Sequence, residues 1–225
     1  MHLIGSLASP FVQRCLIVAR AKGHELAVEL PPGGGMQSAE FQAISPMGRV
    51  PVLAFDDGTY LCESNAISAH LDEALTGPAL LPQQPAARGR VREIAEIATG
   101  ELAAGLRPVL VHRIFRMSQN EPVVAAGLAQ ADRGCAALAR LLESSAGPYA
   151  IGDTITFADA ALVPFATLAM AISQDDDVAG LLGRHPFLLA YLERAQADAI
   201  LARTPQEMRD AFAAIVARRT QAAPA

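Results

Sequence analysis

The spacing of apolar positions changes period once between residues 50 and 75, and that change predicts three consecutive elements. Residues 50–55 are short, apolar and rich in types that suit strands. Asp56-Asp57-Gly58 is a turn with a glycine able to take positive φ, and residues 59–62 return to an extended pattern, so the stretch predicts a tight hairpin. From Glu63-Ser64-Asn65 onward Ala66, Ile67, His70, Leu71 and Leu75 fall at helical spacings.

The same reading extends in both directions. Residues 2–5 predict a strand, and Ser9-Pro10 starts a helix, with serine as cap and proline at the first helical position. Phe11, Cys15, Val18 and Ala19 form its apolar face, Arg14 and Lys22 are expected outside, and Gly23 stops it. Residues 25–30 alternate weakly as a strand, 31–35 are a glycine- and proline-rich loop, and 38–43 predict a short helix. The order β-α-β-α-β-β-α is that of a compact α/β unit. Residues 78–85 read as a linker, so the expected division is an α/β domain over 1–77 and an all-helical domain over 86–225. Its helices are expected at 86–117 with a kink at Pro108, at 121–144, at 160–172, at 186–201 and at 205–219, with 221–225 frayed. Thr156-Phe157-Ala158-Asp159 is a capping box, which accounts for an acid at the head of an almost wholly apolar helix. Asp175-Asp176-Asp177 is expected as a solvated break.

Composition narrows the function classes. The chain has 225 residues, 52% of them hydrophobic and 18% charged, with a net charge of −5. No basic stripe suggests a nucleic-acid surface. The first residues do not read as a secretory signal, and the longest apolar run, 158–172, is interrupted by Asp159 and Pro164, so no membrane span is expected. Cys15, Cys62 and Cys135 are scattered without a C-x-x-C pair or metal spacing, which fits a reducing, cytoplasmic setting and no bound metal.

The hairpin and the helix after it also offer chemistry. Pro51 stands where a strand begins, and a cis bond there would turn the Val50 backbone outward toward an extended peptide. Ser64 opens a helix, whose unpaired N–H groups and dipole favour a carboxylate, and Glu63 could answer an ammonium group. A small zwitterionic peptide would find both partners. The plain alternative is a hairpin followed by an ordinary capped helix.

Five segments in this order resemble the soluble glutathione S-transferase superfamily: Ala8-Ser9-Pro10-Phe11, residues 45–53 with Val50-Pro51, Glu63-Ser64-Asn65-Ala66-Ile67, residues 156–160, and His185-Pro186-Phe187 with Tyr191 and Arg194. The resemblance implies a thioredoxin-like α/β domain followed by an all-α domain, assembled as a homodimer. It names the peptide as glutathione, held by Val50 and Pro51 at its cysteinyl backbone and by Glu63 and Ser64 at its γ-glutamyl end. Arg49 or Gln37 would reach the glycyl carboxylate, and Phe11 would lie beside the site. Ser9 would stabilise the thiolate, with Ser6 as competitor and helix capping as the plain alternative. No cysteine stands at that place, which disfavours thiol–disulfide exchange, and Cys15 reads as structural.

The implied electrophile is small and hydrophobic or acidic. Its site is expected between the domains, near Leu7 and the basic residues His112, Arg113 and Arg116, whose plain alternative is a solvated face. Conjugation of glutathione ranks first. A maleylacetoacetate-type isomerase or a thiolytic lyase or dehalogenase ranks second, because Ala8-Ser9-Pro10-Phe11 departs from the paired serines and cysteine of the isomerase signature. A binding module without turnover is the third reading.

Overall fold

The computed structural model describes residues 1–143, 145 and 147–222. Contacts group the chain into two units, one made of Met1–Leu80 with the last helix, the other of Leu81–Ala202.

The first unit is built on a sheet of strands β1 (His2–Ile4), β2 (Val28–Glu29), β3 (Val52–Ala54) and β4 (Tyr60–Cys62) in the order β2-β1-β3-β4. β1 runs parallel to β2, with Leu3 opposite Val28, and antiparallel to β3, with Leu3 opposite Leu53. β3 and β4 form the predicted hairpin, and Gly58 takes φ +83 in its turn. Helices α1 (Pro10–Ala21), α2 (Ala39–Ile44) and α3 (Ser64–Ala74) complete the α/β order. Leu3, Val12, Leu16, Phe41, Leu53, Ile67 and Leu71 are fully or almost fully buried among them. Each such side chain stabilises the fold by roughly 1.5–3 kcal/mol relative to exposure.

Two details differ from the helical pattern. Arg14 and Lys22, expected outside, are both buried. The Lys22 ammonium is satisfied there by the Asp72 carboxylate at 3.0 Å and the Pro78 carbonyl at 3.1 Å, which offset its desolvation. β2 is shorter than the weak alternation over 25–30 suggested.

The final helix, α10 (Arg203–Ala222), belongs by contact to this unit, although the sequence pattern carried the helical domain to the C terminus. Its Glu207 binds the Arg20 guanidinium of α1 through both carboxylate oxygens, at 2.8 and 3.0 Å, and its Arg203 pairs with Glu25. Of the frayed tail expected at 221–225, residues 223–225 lie outside the described residues.

The second unit is helical. α4 (Pro85–Ile97) passes through a wider π-helical turn, Ala98–Ala103, into α5 (Ala104–Pro108), and a second such turn, Val109–Ile114, follows. Pro108 lacks the N–H that a regular ladder would use, and the wider turn follows directly after it. α6 (Glu121–Leu141) ends before residue 144, an expected helix residue outside the described set. α7 (Phe157–Ala171) is buried from Ala158 to Ala169, as its unbroken apolar run requires. The capping box at its head is present.

α8 (Asp176–Arg184) occupies the stretch read as a solvated break. Asp175 caps it, with its carboxylate accepting from the Asp177 and Val178 N–H groups. α9 (Pro186–Ala195) stops earlier than its pattern, because the Asp198 side chain takes the N–H groups of Ile200 and Leu201 into a turn. No helix among the described residues is long and apolar enough to cross a membrane.

Candidate functional site

The site begins where β1 meets α1. Gly5 donates to the Glu29 carbonyl at 2.7 Å, and a Cβ on it would lie 2.5 Å from Val12 Cγ2 and 3.4 Å from Val50 Cβ. Only glycine lets these three segments close to that distance. The loop that follows folds on itself: the Ala8 N–H donates to Ser6 Oγ at 3.3 Å and the Ser9 N–H to the Ser6 carbonyl at 2.9 Å.

Ser9 then caps α1 with its backbone. Its carbonyl accepts from the N–H groups of Val12 and Gln13, but its side chain makes no capping bond. The half-buried hydroxyl bonds to no described residue, whereas that of Ser6 is engaged. A free donor thus sits at the N-terminal end of a helix, where the dipole favours an anion.

The Val50–Pro51 peptide is cis, and both residues precede β3 and lie outside its ladder. Val50 packs its side chain on the core of Ile4, Phe41, Val52 and Ala54. Buried Ser45 closes the preceding loop twice, donating to the Arg49 carbonyl at 2.9 Å and accepting from the Arg49 N–H at 3.0 Å. The Arg49 side chain is exposed, and so is Gln37 in the turn before α2.

Glu63, the residue before α3, holds φ +70 and ψ 117 and is exposed. A non-glycine residue in that region costs about 1–3 kcal/mol, so the conformation persists because its surroundings impose it. Ser64 is the first residue of α3 and is buried. The two helix starts are tied by one thiol. Cys15 Sγ lies 3.5 Å from the Phe11 carbonyl, 3.7 Å from the Ser64 carbonyl and 3.9 Å from Ser68 Oγ. Burial pushes its pKa up to about 12, against the opposing pull of Arg14 and Ser68, so Cys15 is a structural tie and no nucleophile.

The residues expected to line an electrophile pocket fare differently. Leu7 lies in the loop before Ser9 and its carbonyl accepts from Gln13 at 2.9 Å. Arg113 is taken up by Glu121, Asp175 and Asp177 at 2.6–3.1 Å, bonds that raise its pKa and fasten the starts of α6 and α8. These bonds are what the plain alternative of a solvated, ion-paired face describes for Arg113. His112 Nδ1 pairs with the Ser118 hydroxyl at 2.9 Å. Arg116 is exposed at φ +51, and its guanidinium bonds to no described residue. Asp159 is wholly structural: it accepts from the N–H groups of Ala150 and Thr156 and from the hydroxyls of Thr156 and Tyr191.

Sequence reasoning missed Gln13, which is fully buried and joins Leu7 to α10. Its one legible signal was a polar residue amid the apolar positions of α1.

The glutathione S-transferase N-terminal domain matches residues 3–79, and the glutathione S-transferase C-terminal domain matches residues 121–194. The chain belongs to the glutathione S-transferase superfamily. Among curated relatives of this transferase-family chain is maleylacetoacetate isomerase of Mus musculus, 35% identical over 138 residues that make up 61% of this chain and 62% of that protein. The match therefore spans a little under two thirds of the relative's length. A solved structure of maleyl pyruvate isomerase, a bacterial zeta-class member, superposes with TM-score 0.73 at 26% identity, covering 92% of this chain and 98% of that one. Maleylacetoacetate isomerase of Methylobacterium extorquens AM1, solved with malonate and glutathione bound, gives TM-score 0.71 at 26% identity over 92% of this chain and 97% of that one.

Proposed function

We propose that this chain is a glutathione-dependent cis–trans isomerase whose substrate is a small acidic cis-enone of the maleylacetoacetate kind. The observation that carries the reading is the unpartnered Ser9 hydroxyl at the start of α1, in a chain aligned with isomerases of that kind. Conjugation, ranked first from the motifs alone, gives way to the isomerase on the weight of these relatives. The departure at Ala8 leaves Ser9 as the hydroxyl of that motif.

The residues present fit glutathione. Ser9 Oγ donates a hydrogen bond to the sulfur, and the adjoining helix N terminus adds its dipole, which lowers a thiol pKa from about 8.5. Val50 offers its backbone to the cysteinyl unit beside Pro51. The Glu63 carboxylate answers the ammonium of the γ-glutamyl group, while Ser64 and the first N–H groups of α3 receive its carboxylate. Arg49 or Gln37, both exposed, receives the glycyl carboxylate. Glutathione, when bound, supplies a sulfur nucleophile that is released unchanged once the double bond has isomerised.

That last property is the test. With a cis-enone acid in large excess over glutathione, the chain should produce the trans isomer while free thiol stays constant. Loss of one thiol per product would return the reading to conjugation, and glutathione binding without turnover would leave only a binding module.

A further inference from the structure

Gln13 is fully buried in α1, one turn past Ser9, and every polar atom of its side chain is used. Nε2 donates to the Leu7 carbonyl at 2.9 Å and to the Glu207 carboxylate at 3.2 Å, while Oε1 accepts from the Thr204 hydroxyl at 3.4 Å. The amide orientation follows from the partners, since a flipped amide would set its oxygen against two acceptors. Glu207 is itself fixed by the buried Arg20 guanidinium through two bonds. Thr204 and Glu207 both stand on α10, so a continuous polar path runs from α10 through Gln13 to the loop that presents Ser9.

We infer that Gln13 is a positioning residue for the Ser9 hydroxyl, with α10 as its support. Gly5 holds the entry to the loop on the Glu29 carbonyl and Ser6 closes it locally, while the Gln13 bond at Leu7 is what ties the loop to α10. Freed from that bond, the loop can move by an ångström, and a displacement of that size at a reacting centre lowers rates by about a hundredfold. The inference rests on the functional reading above only in assigning the hydroxyl to a thiolate; the mechanical part stands on the geometry.

The test therefore has two arms. Gln13→Met keeps the volume and removes the bonds, and Gln13→Glu replaces the donor with a carboxylate facing Glu207. Hydrogen exchange without ligand should quicken at residues 5–12 by about tenfold in either variant, with α3 unchanged, because the loop amides lose their anchor. Unaltered exchange there overturns the inference. With glutathione bound, both variants should lower kcat by about a hundredfold and weaken the acidity of the bound thiol by about tenfold, while glutathione affinity stays within about threefold. Gly127→Ala, a destabilised control in the other unit, should leave the acidity of the thiol as it is. A thiol of native acidity in the Gln13 variants, or affinity falling in step with kcat, shows a merely structural role and overturns the inference. If the native chain takes up no glutathione, the functional reading fails on its own, and exchange at residues 5–12 still decides what Gln13 holds.

Discussion

Asp159 and Cys15 show how differently a buried polar side chain can serve the fold. Asp159 is fully buried and satisfies four donors, from Ala150, Thr156 and Tyr191. Asp159→Ala strands all of them, so chemical denaturation should show a loss of about 3–5 kcal/mol. Cys15 acts through pH. Its folded pKa lies near 12 against an ordinary value of 9.0, because burial penalises the thiolate. The unfolded chain therefore releases this proton first as pH rises, and the stabilisation present below pH 9 is lost progressively toward pH 12. Between about pH 7 and about pH 10 the native chain should lose about 1 kcal/mol more than Cys15→Ala, measured by urea midpoints at both values. At this scale the sequence was legible where a residue's role is local. The capping pair Thr156 and Asp159 could be read from spacing alone, and so could the position of Ser9 ahead of Pro10. Gln13 and Lys22 could not, because what satisfies them in the interior is a partner far along the chain, Thr204 and Glu207 for Gln13 and Asp72 for Lys22.

Elements meet in this fold at glycines as much as at large side chains. Gly105 of α5 and Gly127 of α6 face each other so closely that a Cβ on either would lie 2.5 Å from the other's carbonyl oxygen. Backbone cannot yield as a flexible side chain does. Gly105→Ala or Gly127→Ala should each destabilise by about 1–3 kcal/mol in a thermal or denaturant melt, with glutathione binding by the surviving fold unchanged. Neither glycine drew notice in the sequence, where both sit inside helical patterns and would be scored as mildly unfavourable. The strands and helices themselves were mostly visible, since a period of two or of three to four needs no tertiary knowledge. α8 was not, because three aspartates in a row resemble a solvated break, and it takes the Asp175 cap to show them as a helix start.

For the whole molecule, the pattern gave the two kinds of architecture in the right order. It did not give the placement of α10, whose charged residues pair with Arg20 and Glu25 of the first unit. Family membership follows from both halves of the chain, while the proposal of isomerisation over conjugation rests on the relatives alone, since the Ser9 hydroxyl, whose freedom only the folded chain displays, would serve either reaction. The central claim is that this hydroxyl keeps the sulfur of bound glutathione ionised. The most direct measurement is a pH titration of the bound thiolate by ultraviolet absorbance, in the native chain and in Ser9→Ala. The account predicts a native midpoint at least about one unit below the free-thiol value of about 8.5, and a return toward that value in the variant with glutathione affinity within about threefold. Identical midpoints in the two proteins would contradict it.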